Sequence, residues 1–168
     1  DPYQPRGSLP YKAGNKMKSF FAMRSIENEF ADFKVYNLDR QFREILYDLS
    51  IAYKRNDKVV MQRSQSQAMF KFTVELNKAK KPSPFLREIH TMTNMQARVY
   101  HENDHLLPED QWAQFTMRLK GTKTDGTTLT QYSVFERRMA DKLSYLDWKL
   151  SMLADEEDFI LMHSNDVK

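Results

Sequence analysis

The sequence predicts an α+β domain in which two amphipathic helices precede an antiparallel β-sheet. Apolar side chains recur every three or four residues between Leu38 and Tyr53, which places them on one face of a helix. From residue 113 to residue 152, apolar and polar side chains alternate instead, and alternate side chains of a strand point to opposite faces. Asp125-Gly126 lies between two of these alternating runs and has the composition of a hairpin turn.

The first predicted helix has about four to five turns and begins after Asn37, which is well placed to cap it. Asn56-Asp57 ends this helix and caps a second one, predicted as a single helix over residues 58–77. A charged segment interrupted twice by proline, residues 78–84, then ends the helical part. The apolar stripes of the two helices comprise Leu38, Phe42, Ile45, Leu46, Leu49, Ala52 and Tyr53, and then Val60, Met61, Ala68, Met69, Phe72 and Leu76.

Three strands are predicted after residue 112, each with one buried face. The first runs over residues 113–119, the second over residues 129–139 and the third over residues 145–152. At least one further strand is expected between Phe85 and Tyr100, followed by a polar loop from His101 to Asp110. The side chains expected to form the core shared by helices and sheet are Phe42, Leu46, Leu49, Phe115, Met117, Trp148 and Leu150.

Charge divides the 168 residues into three parts, although the net charge is only +3. Residues 1–30 are predicted to form a basic, extended arm, residues 31–154 the folded domain, and residues 155–168 an acidic tail that opens with Asp-Glu-Glu-Asp. Prolines and glycines in the arm disfavour regular structure. The arm's cations are candidates for contacts with RNA or lipid phosphates, against the alternative of a solvated tail: Arg6, Lys12, Lys16, Lys18 and Arg24.

Phe20 and Phe21 lie among these cations and are candidates for packing against a partner. The segment around them mixes apolar and basic residues, as a peptide that lies on a membrane surface or in an RNA–protein groove does. The alternative is a short helix folded onto its own domain. The sequence leaves these possibilities open.

The sequence contains no convincing catalytic or metal-binding pattern. The chain has no cysteine and only four glycines, which excludes thiolate metal sites and a glycine-rich phosphate loop. His101 and His105 are four residues apart, but a pair of ligands at this spacing needs a helix, and their segment has the composition of a loop. No apolar run is long enough to cross a bilayer. We therefore expect a protein that is not an enzyme, with no catalytic residue, bound metal or cofactor.

Several segments resemble the Tim-forty-four-like domain family. Gln114–Leu119 resembles a strand signature of that family, Ser133–Met139 resembles its next strand, and Trp148–Leu150 resembles the start of its last strand. Ala31–Val35, followed by a long amphipathic helix, is similar to the family's entry segment. The resemblance covers about Ile26 to Leu153, and it implies a strongly curved, cone-like sheet of the nuclear transport factor two type.

The resemblance is greatest to the family's member in the mitochondrial large ribosomal subunit and to fungal membrane-associated ribosome receptors. It implies a structural component near the polypeptide exit tunnel, peripheral to the inner membrane on its matrix side. The implied partners are ribosomal RNA, neighbouring large-subunit proteins, and the inner-membrane surface or an insertase, with no small-molecule substrate. Two alternatives stay open: a matrix scaffold of the presequence translocase that recruits the Hsp70 import motor, and a small cone-fold enzyme or ligand binder.

Overall fold

The computed structural model describes residues 18–26, 38–101, 111–139 and 148–158. Four helical segments precede four strands, and the strands form one open antiparallel sheet in the order β1-β2-β3-β4. The predicted α+β class is confirmed, whereas the cone-like arrangement stays a prediction. The elements are α1 (residues 18–26), α2 (Leu38–Arg55), α3 (Lys58–Ser64), α4 (Gln67–Lys78), β1 (Glu88–His101), β2 (Gln111–Thr122), β3 (Thr128–Arg138) and β4 (Lys149–Asp155).

Helix α2 follows the predicted apolar stripe, since its buried residues are spaced three and four apart. It ends where Asn56 takes a left-handed conformation with a φ of 53°, which an asparagine tolerates better than most residues. Asp57 then caps α3, because its side chain accepts hydrogen bonds from the backbone N–H groups of Val59 and Val60, each at 3.2 Å. Asn37, the predicted cap of α2, lies outside the described residues.

The prediction of one helix over residues 58–77 is wrong, because the helix is interrupted at Gln65 and Ser66. Ser66 donates its backbone N–H to the carbonyl of Leu150 at 2.9 Å, and Gln65 forms a parallel bridge with Leu150. The break therefore gives the edge strand β4 a backbone partner. It also changes which residues of α4 face inward: Met69 and Thr73 are buried, whereas Phe72 is 49% exposed, against the sequence prediction.

The strand predictions are confirmed with shifts of their ends, except that residues 145–147 of the third predicted strand lie outside the described residues and β4 begins at Lys149. Strand β1 supplies the strand expected between Phe85 and Tyr100 and includes His101, while residues 102–110 lie outside the described part of the chain. Strands β2 and β3 pair without a register shift around the predicted hairpin, where Gly126 has a φ of 88°. Asp125 accepts a hydrogen bond from the Thr127 backbone N–H at 2.9 Å, which lowers the pKa of this carboxyl group.

The core is centred on four aromatic side chains, one from α2 and three from the sheet or its approach. The Phe42 ring stacks on Phe135, with the centroids 4.0 Å apart and the planes 5° from parallel. Phe115 and Trp148 contact Phe42 edge-on at 5.9 and 5.5 Å, and they contact each other at 5.3 Å. All seven predicted core residues are buried.

Strand β2 is buried on both faces, so the expectation of a single buried face was incomplete. Its polar face carries Gln114 and Thr116, which are 6% and 1% exposed. Strand β1 also lies close to β2 at Gly121, since a Cβ atom there would lie 2.1 Å from the Glu88 carbonyl oxygen. A side chain at this position would force the two strands apart, because real Cβ atoms do not approach backbone oxygens so closely.

The predicted acidic tail begins inside the sheet, because Asp155 is the last residue of β4. Its carboxylate accepts hydrogen bonds from Lys123 at 3.0 Å and Gln131 at 2.8 Å. Glu156 forms an ion pair with Arg118 at 3.3 Å. The first two acidic residues therefore bind the end of β4 to β2 and β3, and the boundary drawn at residue 155 was placed too early.

Replacing Trp148 with alanine is expected to lower the free energy of unfolding by roughly 3–5 kcal/mol, the usual cost of deleting a buried large aromatic side chain. Trp148 is 3% exposed and contacts both Phe42 and Phe115. Urea denaturation followed by circular dichroism measures the change. Tyr47→Ala is the matched control, since Tyr47 is 61% exposed; equal stability of the two variants would place Trp148 outside the core.

Candidate nucleic-acid interface

Helix α1 has an inward face that attaches it to the domain. Ser19, Ala22, Met23 and Ile26 are spaced so that they share one side of a helix. Ile26 is fully buried, and Ala22 and Met23 pack against the core. For residues 18–26 the predicted extended arm is therefore corrected to a helix folded onto its own domain, because burial of these apolar residues stabilises a helix too short to persist alone.

The position of α1 is fixed by contacts with the edge strand β1. The backbone N–H of Ala97 donates a hydrogen bond to Ser19 Oγ at 3.3 Å, and the Asn94 side-chain amide contacts Met23 Sδ at 3.6 Å. These contacts flank the register shift between Asn94 and Gln96 in β1. The helix therefore occupies part of an otherwise unpaired strand edge, where a peptide from another chain could add.

The outward face of α1 carries both cations and aromatic rings. Phe20 and Phe21 are 53% and 63% exposed, with their ring centroids 5.9 Å apart in an edge-to-face contact. The Arg24 guanidinium lies 5.9 Å from the centre of the Phe20 ring, and Lys18 is also exposed on this helix. Lysine and arginine can neutralise phosphates, and exposed aromatic rings can stack on bases, so this face suits a single-stranded nucleic acid.

Four of the seven predicted interface residues are exposed on α1: Lys18, Phe20, Phe21 and Arg24. The other three predicted cations, Arg6, Lys12 and Lys16, lie outside the described residues. The sequence left a short helix folded onto its own domain open as an alternative, and the i, i+3, i+4, i+7 spacing of the inward residues is the signal that favours it.

Gln114 and Glu136, which lie in the two strand segments that resemble the family, are hydrogen-bonded to each other. The Gln114 amide donates to Glu136 Oε1 at 2.6 Å and accepts from Arg98 Nε at 2.5 Å. Tyr100 donates its hydroxyl to the same Glu136 oxygen at 3.1 Å, and the Arg98 guanidinium lies over the Tyr100 ring. This network joins three strands across the polar face of the sheet. Gln114 and Glu136 thus hold strands together, as Trp148 holds helix to sheet.

A surface cleft of about 380 Å³ lies between α2 and the beginning of β1. The Arg43 side chain crosses it and donates a hydrogen bond to the Ile89 carbonyl at 2.8 Å. Two arginines and two glutamates line the cleft, so their charges balance, and apolar surface from Tyr47, Leu86 and Ile89 makes up much of the rest. The cleft suits a small, mainly apolar group better than a phosphate.

Within residues 18–26, 38–101, 111–139 and 148–158, no three His, Asp or Glu side chains are grouped so that they could hold a metal ion. His105 lies outside these ranges, so the predicted lack of a metal site at His101 and His105 stays a prediction. In the same ranges, no helix combines the length and apolar character that crossing a membrane requires.

Comparison with known proteins adds no relative: no protein-family model matches the chain, and no curated protein matches it. The resemblance to the Tim-forty-four-like domain family therefore depends on the motifs in this sequence.

Ile26→Ala is expected to detach α1 from the domain, since Ile26 is the fully buried anchor of that helix. The opening free energy of α1 should fall by roughly 2–5 kcal/mol, the usual cost of an Ile→Ala change in a core. Amide hydrogen exchange measures it: residues 18–26 should exchange faster while β2 and β3 keep their protection. Phe21→Ala, on the outward face, is the control and should leave exchange unchanged; equal rates in both variants would contradict the docked helix.

Proposed function

We propose that this protein is a non-catalytic structural component of the mitochondrial large ribosomal subunit. It lies near the polypeptide exit tunnel and helps hold the ribosome against the matrix side of the inner membrane. Its partners are ribosomal RNA and neighbouring large-subunit proteins, with the inner-membrane surface or an insertase on the other side. It uses no small-molecule substrate.

The outward face of α1 is the observation that carries this proposal. Phe20 and Phe21 stay exposed although buried apolar residues lie on the opposite side of the same helix. An aromatic pair flanked by Lys18 and Arg24 offers stacking and charge neutralisation together, and neither depends on base sequence. Because α1 is docked on β1, the face is held in a fixed orientation relative to the sheet.

The motif resemblance supports the assignment to the mitochondrial ribosome. These motifs resemble those of protein forty-five of the mitochondrial large ribosomal subunit, a member of the Tim-forty-four-like family. The residues that resemble the family's strands lie on adjacent strands here, with Gln114 hydrogen-bonded to Glu136 and Trp148 packed on Phe115. Such positions suit a shared architecture, and we extend the proposal to a cone-like curved sheet.

The cleft beside α2 favours a second candidate function, a binder of small apolar ligands. Its volume of about 380 Å³ lies within the range of small-molecule sites. The cleft is open and its charges balance, so it is poorly suited to orienting a polar substrate. We therefore rank this function below the ribosomal one. An import-motor scaffold, the remaining alternative, would need no affinity for RNA.

Changing Lys12, Lys16, Lys18 and Arg24 together to glutamine is expected to weaken binding to isolated mitochondrial large subunits. Each lost phosphate contact should reduce the steepness of the log–log salt dependence by about 0.7–0.9, so the full change is about 3 if all four cations contact RNA. Sedimentation at increasing salt measures both the affinity and the slope.

The matched control removes four exposed cations from the folded domain instead: Arg40, Arg63, Lys120 and Lys149. It has the same net charge as the first variant and should retain binding. Equal behaviour of the two variants would show that general charge, and not the N-terminal cations, attaches the protein. Failure of the unchanged protein to sediment with large subunits would contradict the ribosomal function and favour the import-motor scaffold.

A further inference from the structure

The turn between α4 and β1 is fastened to the end of α2. The Tyr53 hydroxyl donates a hydrogen bond to the Lys81 carbonyl at 2.7 Å, and the Asn77 side-chain amide donates to the Tyr53 carbonyl at 2.7 Å. Burial raises the pKa of Tyr53, so its hydroxyl stays protonated and able to donate. Two segments that are more than 20 residues apart in sequence therefore form one continuous surface.

This surface, named the α2–α4 basic surface, collects exposed cations from the end of α2, the start of α3 and the end of α4. Residues 54–58 and 75–82 hold six cations and two carboxylates, an excess of four positive charges. Asp57 is occupied as a helix cap, and Glu75 pairs with Lys78 at 3.1 Å. The cations are Lys54, Arg55, Lys58, Lys78, Lys80 and Lys81.

Cations are favourable at the C-terminal end of a helix, where the helix dipole is negative, but this preference explains only some of the cations on the surface. Lys54, Arg55 and Lys78 lie in the last turns of α2 and α4, where a cation is favourable. Lys58 occupies the first turn of α3, where a cation faces the positive end of the helix. The helix dipole therefore does not explain a cation at Lys58.

Lys80 has a second unfavourable position. Its φ of 53° is left-handed, a conformation that usually belongs to glycine or asparagine just after a helix. The turn has the hydrogen bonds of such a helix end, from Lys80 N to Asn77 O and from Lys81 N to Leu76 O, each at 3.0 Å. A lysine here carries a backbone cost that glycine would avoid. Local strain of this kind is typical of functional positions.

We infer that the α2–α4 basic surface is a second contact for the phosphate backbone of RNA, independent of α1. The inference deepens the RNA-binding role proposed above and depends on it. Exposed lysines attract phosphates through their charge, and such contacts do not depend on the base sequence. Of the two carboxylates on the surface, one caps α3 and the other pairs with Lys78, so most of its positive charge is left for a polyanion; Val59, beside Lys58, is 77% exposed.

The experiment compares two doubly substituted full-length proteins in binding a fluorescein-labelled RNA hairpin by anisotropy at increasing salt. Lys80→Gln with Lys81→Gln should reduce the steepness of the log–log salt dependence by about 1.4–1.8, which corresponds to two phosphate contacts. Lys120→Gln with Lys149→Gln removes the same charge from exposed strand positions and should leave the slope as it is in the unchanged protein.

Equal slopes for the two variants would overturn the inference, while RNA binding by the unchanged protein would preserve the proposed function. No RNA binding by any of the three proteins would overturn both. Sedimentation with phosphatidylserine-containing vesicles provides the remaining arm: loss of vesicle binding in Lys80→Gln with Lys81→Gln, with RNA binding intact, would assign the surface to a membrane and overturn the inference.

Lys80→Gly separates the charge from the backbone conformation. It should raise the midpoint of thermal unfolding, because glycine adopts the left-handed conformation without strain, and it should weaken RNA binding. Asn56→Gly is the matched control at the other left-handed helix end and should leave RNA binding unchanged. Tighter or equal RNA binding by Lys80→Gly would show that Lys80 is not a phosphate contact.

Discussion

The stacking of Phe42 on Phe135 is the interaction on which the rest of the architecture depends. It joins α2 to the centre of the sheet, with Phe115 and Trp148 completing the contact from β2 and from the approach to β4. Since Phe42 is flanked by buried leucines one turn away in α2, the stack also sets which face of that helix is buried. The exposed face of α2 then carries the charged residues that reach the protein surface.

Backbone hydrogen bonding at the edges of the sheet explains features that side-chain packing does not. Strand β1 has Ser19 of α1 beside it, and strand β4 has the break at Ser66. Both contacts give edge backbone groups a partner and so reduce the tendency of open edges to pair with other chains. At β4 the contact coincides with the break between α3 and α4. At β1 the contact holds helix α1 in a fixed orientation.

The sequence was sufficient for features that depend on local periodicity and turn chemistry. The stripe of α2, the Asp57 cap and the Gly126 hairpin were predicted because neighbouring residues determine them. The break at Gln65 was missed, because it depends on the β-bridge between Gln65 and Leu150, which are about 85 positions apart in the sequence. The acidic residues at 155 and 156 were read as a tail for a similar reason: their partners Lys123 and Arg118 are distant in sequence.

For the candidate interfaces too, the sequence predicts the residue types but not the contacts that position them. Lys18 and Arg24 were predicted from charge, and Phe20 and Phe21 from their place among cations, whereas the helix that orients them requires the contact with β1. The cluster of cations at residues 78–81 is visible in the sequence, whereas its place beside Lys54, Arg55 and Lys58 depends on the hydrogen bond from Tyr53 to Lys81. The two candidate interfaces are the basis of the proposed RNA-binding role, the first through charge and stacking and the second through charge.

Ultraviolet cross-linking of the full chain to RNA, with the cross-linked peptides identified by mass spectrometry, tests this account most directly. Cross-links at Phe20 or Phe21 and at Lys80 or Lys81 are the predicted result, because those side chains are exposed on the two proposed contact surfaces. Cross-links confined to the polar face of the sheet, at Tyr100 or Lys149, would contradict it, as would a chain that forms none.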